Sequence, residues 1–94
     1  MEIRKLEVQV NKEFLIEFES IPSSGYVWCL EGGLDETFHN NAKTKSKTKQ
    51  IGGKAIQTFT FVALRRGDYE LVFRLKRPWE KDILNERRFQ VHVQ

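Results

Sequence analysis

The stretch TFTFVALRRGDYELVFRLK, residues 58–76, alternates apolar and polar side chains along almost its whole length. Apolar residues at every second position, interrupted by Arg65-Arg66-Gly67-Asp68, are typical of two β-strands joined by a turn. The same period of two recurs on both sides of this stretch, and no window sustains the 3.6-residue period of a helix. The predicted strands are 3–10, 13–19, 26–31, 36–41, 55–63, 68–76 and 87–93. The sequence therefore predicts an all-β fold, an immunoglobulin-like antiparallel β-sandwich of about seven strands.

The chain has 94 residues, of which 39% are hydrophobic, so we expect a single compact domain over residues 1–94. This size excludes a multidomain enzyme with a buried cofactor cleft, and we expect no cofactor. The net charge of +3 argues only weakly for a nucleic-acid partner. No apolar run reaches the roughly 18 residues of a membrane span, so we expect no membrane contact. We also expect a monomer. The sequence as written predicts a cytoplasmic protein, or a secreted or lysosomal one if the chain is a processed fragment.

Groups able to catalyse a reaction or bind a metal are few. The single cysteine, Cys29, excludes an internal disulfide and a cysteine zinc cluster, and its place in a predicted strand favours a small buried hydrophobe. His92 alternates with two valines and is expected to face outward, and His39 has no partner at metal-ligand spacing. Glu17 and Glu19 fit a solvated outer face. We therefore predict no catalytic residues and no metal site.

The connections between the predicted strands differ in character from one end of the sandwich to the other. Because successive connections of an antiparallel chain alternate between ends, three of them meet at one end: 21–25, 42–54 and 77–86. These three contain the unusual sequences, whereas the connections at the opposite end are short. Loops gathered at one end of a rigid scaffold commonly form a binding surface.

The middle connection carries four lysines at alternate positions, Lys43, Lys45, Lys47 and Lys49, separated by Thr44, Ser46 and Thr48. A strand would place these four like charges on one face, so we predict a mobile polar loop. The alternative is a basic β-sandwich that binds nucleic acid or an anionic surface through this loop, with affinity that falls steeply with salt. The run contains no aromatic residue on which a base could stack.

The other two connections contain the most distinctive motifs. In Ile21-Pro22-Ser23-Ser24-Gly25-Tyr26, proline fixes one φ angle, glycine permits a tight bend and the serines keep the tip small. This segment is either an ordinary turn or a tip narrow enough to enter a cleft. In Arg77-Pro78-Trp79 the tryptophan either fills the core or contacts a partner, since tryptophan and arginine are enriched in interface hot spots.

Together with Ile51-Gly52-Gly53, these motifs resemble those of the chagasin family, small immunoglobulin-like inhibitors of papain-type cysteine peptidases. The family pattern is Asn-Pro-Thr-Thr-Gly-Tyr/Phe, then Gly-x-Gly-Gly, then Arg-Pro-Trp/Phe. Pro22, Gly25, Tyr26 and all of Arg77-Pro78-Trp79 match it, and two serines replace the threonines. Ile21 stands in place of the asparagine, and Gln50 in place of the first glycine of the middle motif.

The resemblance implies a reversible protein inhibitor, not an enzyme, whose partner is a papain-like cysteine peptidase. It implies that Ser23-Ser24-Gly25 plug the cleft beside the catalytic cysteine. Trp79 would lie on the primed side, and Gly52-Gly53 would cover the unprimed side. On this hypothesis the lysine run matters little to binding. The residues implied to contact the peptidase are Pro22, Ser23, Ser24, Gly25, Tyr26, Gly52, Gly53, Arg77, Pro78 and Trp79.

Overall fold

The computed structural model describes residues 2–32 and 42–94, which form seven β-strands and one short 3₁₀ turn. The elements are β1 Glu2–Val8, β2 Glu13–Ser20, the 3₁₀ turn Pro22–Ser24, β3 Val27–Gly32, β4 Ala42–Ile51, β5 Lys54–Ala63, β6 Gly67–Lys76 and β7 Ile83–Val93. None of the described residues belongs to a helix long and apolar enough to cross a membrane. The predicted strand 36–41 and His39 lie outside the described residues.

The strands form two sheets, one of four strands in the order β1-β7-β6-β3 and one of three in the order β2-β5-β4. This confirms the predicted immunoglobulin-like sandwich. The pairings within each sheet are antiparallel except one, because β1 lies parallel to β7. The chain passes from β1 in one sheet to β2 in the other through a turn in which Asn11 adopts a positive φ of 62°, a conformation that asparagine tolerates.

An aromatic cluster fills the space between the sheets. The Phe18 ring stacks on the Trp28 ring with centroids 4.5 Å apart, and it lies 4.9 Å from the ring of Phe73, which is fully buried. The inward positions of β5 alternate strictly with half-buried ones, as the sequence predicts. Burying several large aromatic rings, each worth about 1.5–3 kcal/mol, supplies a small domain with a rigid base for its loops.

Strand β4 corrects the prediction of a mobile loop over 42–54. Residues 42–51 pair with β5 along their whole length, and the connection shortens to Gly52-Gly53. Two lysines at alternate positions lie about 7 Å apart and repel by only about 0.6 kcal/mol in water, before salt screening. Each ladder hydrogen bond contributes a similar amount or more, so pairing prevails. Both Lys47 and Lys49 are exposed, and lysines on an edge strand also discourage pairing with other chains.

At the start of β7 the structure also differs from the expected strand boundary. The predicted last strand is 87–93, yet β7 begins four residues earlier, at Ile83. The additional residues pair with the end of β6, where the register shifts: Leu75 lies opposite Asn85, and Lys76 lies opposite Ile83. Leu84 is thus an extra residue on β7, which is the arrangement of a β-bulge.

Candidate functional site

Three connections meet at one end of the sandwich, as predicted: the β2–β3 loop (21–26), the β4–β5 turn (52–53) and the β6–β7 loop (77–82). The register shows this directly, because Ser20 at the end of β2 lies opposite Ala55 at the start of β5. Likewise, Val27 at the start of β3 lies opposite Lys76 at the end of β6. We call this surface the loop end.

The β2–β3 loop is braced from within by the hydroxyl of Ser24. Ser24 Oγ donates a hydrogen bond to the carbonyl of Ile21 (2.6 Å) and accepts one from the backbone amide of Tyr26 (3.2 Å). The amide of Ser24 donates to the same carbonyl at 3.0 Å and closes the 3₁₀ turn. Gly25 then reverses the chain with φ +81°, a conformation that disfavours residues with a Cβ. Ser24 therefore supplies a brace in a loop where Ile21 replaces the family asparagine.

The β6–β7 loop begins with a tight turn. The amide of Glu80 donates a hydrogen bond to the carbonyl of Arg77 (3.0 Å), which places Pro78 and Trp79 at the two central positions. Proline is favoured at the first of these because its ring already fixes the required φ. The turn lifts Trp79 out of the fold, and 71% of its surface is exposed. Of the two alternatives for Trp79, the structure selects the exposed residue, and the other tryptophan, Trp28, fills the core.

Arg77 joins these two loops. Its Nε donates a hydrogen bond to the carbonyl oxygen of Ser24 (3.1 Å), and its guanidinium lies 4.4 Å from the centroid of the Tyr26 ring. Its Nη1 pairs with the carboxylate of Glu80 at 3.3 Å. One side chain therefore fixes the tip of the first loop against the turn that carries Trp79. We call these two loops the clamped pair.

Gly25 and Trp79 are in direct contact across the clamped pair. A Cβ added at Gly25 would lie 2.9 Å from Cη2 and 3.3 Å from Cζ2 of the indole. Both distances are shorter than an ordinary van der Waals contact, so the ring can lie across the tip only because Gly25 has no side chain. Glycine is needed here for two separate reasons, its φ angle and the neighbouring ring.

The β4–β5 turn is built differently. It consists of Gly52-Gly53, with Gly52 at φ +62°, and a Cβ added at either glycine would meet no atom within 4 Å. Both glycines are exposed. A cleft of about 190 Å³ lies between this hairpin and the β2–β3 loop, lined in part by Tyr26, Thr48 and Gln50. We call residues 52–53 the glycine turn.

Gln57, which no sequence motif marks as part of the site, ties the two sheets together directly beneath the loop end. Its Oε1 accepts a hydrogen bond from the amide of Trp28 (2.8 Å), and its Nε2 donates to the carbonyl of the same residue (3.1 Å). The side chain is buried and meets β3 just after the β2–β3 loop. The signal in the sequence is that glutamine occupies one of the inward-facing positions of β5. Because buried polar groups require hydrogen-bond partners, such a position predicts a specific contact.

The described residues show no group equipped for covalent chemistry at the loop end. Burial raises the pKa of the Cys29 thiol, with Lys76 lowering it and Glu31 raising it to lesser extents, so the reactive thiolate is disfavoured. The hydroxyl of Ser24 is engaged within its own loop. Across the part of the chain that the structure describes, no three His, Cys, Asp or Glu side chains are grouped to hold a metal ion. The arrangement is suited to contact with another molecule.

The structure thus places all ten residues singled out from the sequence at one end of the molecule. Eight of them belong to the clamped pair: Pro22, Ser23, Ser24, Gly25, Tyr26, Arg77, Pro78 and Trp79. The other two, Gly52 and Gly53, form the glycine turn across the cleft. The outward orientation predicted for Glu17, Glu19 and His92 also agrees with the structure, in which all three are exposed.

Comparison with known proteins identifies a family. The model of the chagasin family peptidase inhibitors (I42) matches residues 7–93. No curated protein matches the chain significantly.

Several solved structures share the fold across the whole chain. The cysteine protease inhibitor EhICP2 from Entamoeba histolytica is 21% identical, with a TM-score of 0.79 over 99% of this chain and 94% of its own. PbICP-C, solved in complex with falcipain-2, is 22% identical, with a TM-score of 0.74 over 99% and 88%. The NK cell receptor Nkp44 is 16% identical, with a TM-score of 0.62 over 100% of both chains. Since a receptor shares this fold, the family match is what distinguishes an inhibitor.

Proposed function

Because the chain belongs to the chagasin family of peptidase inhibitors, we propose that its loop end reversibly plugs the active-site cleft of papain-like cysteine peptidases. The observation that carries this proposal is the clamp made by Arg77, which holds a narrow tip and an exposed indole in one arrangement before any partner binds. A surface ordered in advance loses little conformational entropy on docking, so more of the contact energy appears as affinity.

The tip of the β2–β3 loop has the shape required of the plug. Ser23 is exposed and small, Ser24 and Gly25 are half-buried, and Gly25 carries no side chain at all. A segment of this width enters a narrow cleft without steric conflict and covers the catalytic cysteine. Occlusion needs no bond to that cysteine, and the tip offers no activated group to form one. Inhibition is therefore reversible.

The remaining residues of the loop end flank the plug. Trp79 lies against one side of the tip and presents most of its ring to solvent, which suits an anchor on the primed side of the cleft. The glycine turn ends the hairpin that lines the small cleft on the other side, and both of its residues are exposed, which suits contact on the unprimed side. Three contacts from one end of a small domain can cover about 800 Å², the usual area per partner.

The direct test is inhibition of papain with a fluorogenic peptide substrate. We expect the protein to lower the rate in proportion to the fraction of enzyme bound, with an apparent inhibition constant that rises linearly with substrate concentration. Full activity should return on dilution, and mass spectrometry should find the inhibitor intact. A lack of inhibition at micromolar protein, or activity that never returns, contradicts the proposal.

A family relative solved with falcipain-2 supports a papain-like partner over the rival function, binding of nucleic acid or an anionic surface. That rival depends on the lysines of β4, which lie on a strand rather than a mobile arm. It predicts binding that weakens steeply with salt, with a slope set by the number of phosphates contacted. This salt dependence is measured by titrating a fluorescent single-stranded oligonucleotide with the protein at two salt concentrations. We expect no binding at physiological salt.

A further inference from the structure

The loop end carries more apolar surface than the three connections account for. Among the described residues, the large hydrophobic side chains that are exposed are Ile3, Leu15, Ile21, Leu64, Trp79, Ile83 and Leu84. Single exposed hydrophobics are ordinary on a protein surface, but contiguous ones commonly mark a contact site. Ile83 and Leu84 are adjacent in the chain and follow directly on the loop that carries Trp79.

The β-bulge at the start of β7 explains how both side chains remain outside the core. Ile83 pairs with Lys76, the residue immediately before the Arg77 clamp, and Leu84 is the extra residue of the bulge. Ile83 is 48% exposed and Leu84 is 61% exposed. Bulges occur often beside functional sites, where they change the direction of a side chain. Ile83 is therefore fixed to the same rigid base as Trp79, about 5 Å from the backbone of Lys76.

The surroundings of these two side chains are charged. Beyond Leu84, the carboxylate of Glu86 binds Arg74 Nε at 2.9 Å and Arg88 Nε at 3.2 Å, and the hydrogen bond from Arg74 is the main reason that the pKa of Glu86 is lowered. On the other side, Lys81 and Asp82 are exposed at the end of the β6–β7 loop. An apolar patch bounded by charged groups has the composition of an interface centre with its polar rim.

We propose that Ile83 and Leu84 form a fourth contact element, which extends the peptidase-binding surface beyond Trp79 and packs on an apolar strip at the primed-side rim of the cleft. The inference rests on the proposed function and on the continuity of these side chains with the Trp79 loop. It commits to one occupant, the peptidase itself. It also makes the start of β7 a determinant of which peptidases are bound, since a polar rim would leave both side chains without an apolar partner.

The test compares Ile83→Thr, Leu84→Thr and the double variant with a matched control, Leu15→Thr. Leu15 is 51% exposed on β2 and lies five residues before the end of that strand. It is therefore about 16 Å from the loop end. Threonine suits a strand, so all four variants should fold with melting temperatures close to that of the original protein. We expect the double variant to inhibit papain about tenfold more weakly, with each single variant weaker by about threefold. Leu15→Thr should inhibit normally.

Calorimetry adds a readout that an indirect loss of loop structure would not produce. Loss of an apolar contact makes the heat-capacity change of binding less negative, and we expect this only for the variants of β7. Equal inhibition by the double variant and the original protein overturns the fourth contact and leaves the proposed function intact. An equal loss in Leu15→Thr also overturns it. If the original protein does not inhibit papain, the proposed function and the fourth contact both fail.

Discussion

The clamped pair and the glycine turn lie at the same end of the molecule but hold their shapes by different means. In the clamped pair, Arg77 binds the carbonyl of Ser24 and the face of Tyr26, and the ring of Trp79 lies on Gly25. In the glycine turn, a Cβ added at either residue would meet no neighbouring atom. The turn takes its shape from the hydrogen-bonded pairing of β4 with β5. The difference teaches that substitutions that break a contact within the clamped pair should change binding and loop order together, whereas those in the glycine turn should act locally.

The largest effect should follow removal of the exposed indole. We expect Trp79→Ala to weaken inhibition of papain by about 2 kcal/mol or more, the scale of an interface hot spot. Since 71% of the residue is exposed, the free energy of unfolding should change little. Leu64→Ala, at the opposite end of the sandwich, is the control and should inhibit normally. Equal potency of Trp79→Ala would show that the β6–β7 loop does not face the enzyme.

A smaller loss should follow disruption of the clamp. Arg77→Lys keeps the charge but loses the Nε hydrogen bond and the planar contact with the Tyr26 ring. We expect inhibition to weaken by about 1–1.5 kcal/mol, because a partly exposed charged hydrogen bond and a cation–π contact each contribute about that amount or less.

Tyr26→Phe provides the matched control for the clamp, since it retains the ring under the guanidinium and should inhibit like the original protein. Amide hydrogen exchange in the β2–β3 loop should quicken in Arg77→Lys and remain unchanged in Tyr26→Phe. If Arg77→Lys inhibits normally with unchanged exchange, the two loops are not held by this residue.

The paired substitutions Gly25→Ala and Gly52→Ala test the comparison most sharply, because both glycines have a positive φ. Each alanine should reduce the free energy of unfolding by about 1 kcal/mol through backbone strain, measured by urea denaturation. Only Gly25→Ala also displaces Trp79, so we expect its inhibition constant to rise by about fivefold more than that of Gly52→Ala. Equal losses of inhibition would remove the distinction between the two regions.

The smallest effect is expected on β4. Neutralising Lys47 and Lys49 together, as Lys47→Gln with Lys49→Gln, should change the inhibition constant by less than about twofold at physiological salt, where exposed charges are screened beyond about 8 Å. The measurement is inhibition of papain at low and physiological salt. A large, salt-dependent loss would show that the lysines of β4 take part in binding the peptidase.

The sandwich and the location of the loop end follow from the sequence because period-two alternation and turn residues are local signals. Strands β5 and β6 lie within a residue of the predicted bounds, and Trp79 lies exposed in the predicted loop. Strand β4 does not follow from the local pattern, because the repulsion between alternate lysines is offset by hydrogen bonds to β5 that the pattern does not contain. Sheet pairing is a contact between distant segments, and a local pattern does not determine its energy.

The internal supports of the site were beyond the reach of sequence patterns for the same reason. Arg77 binds a carbonyl 53 positions away in the chain, and Gln57 binds Trp28 from 29 positions away. Such partners become neighbours only once both sheets have formed. The bulge at Leu84 likewise depends on how β6 and β7 align.

The central claim, that the tip of the clamped pair covers the catalytic cysteine, is tested most directly by the rate at which iodoacetamide alkylates papain. As inhibitor is added, alkylation should slow in proportion to the fraction of papain bound, and it should nearly stop at saturation, because the thiolate is shielded from the reagent. Trp79→Ala should require a higher concentration for the same protection. Alkylation at the rate of free papain, with binding confirmed by calorimetry, would contradict the claim and place the contact away from the cleft.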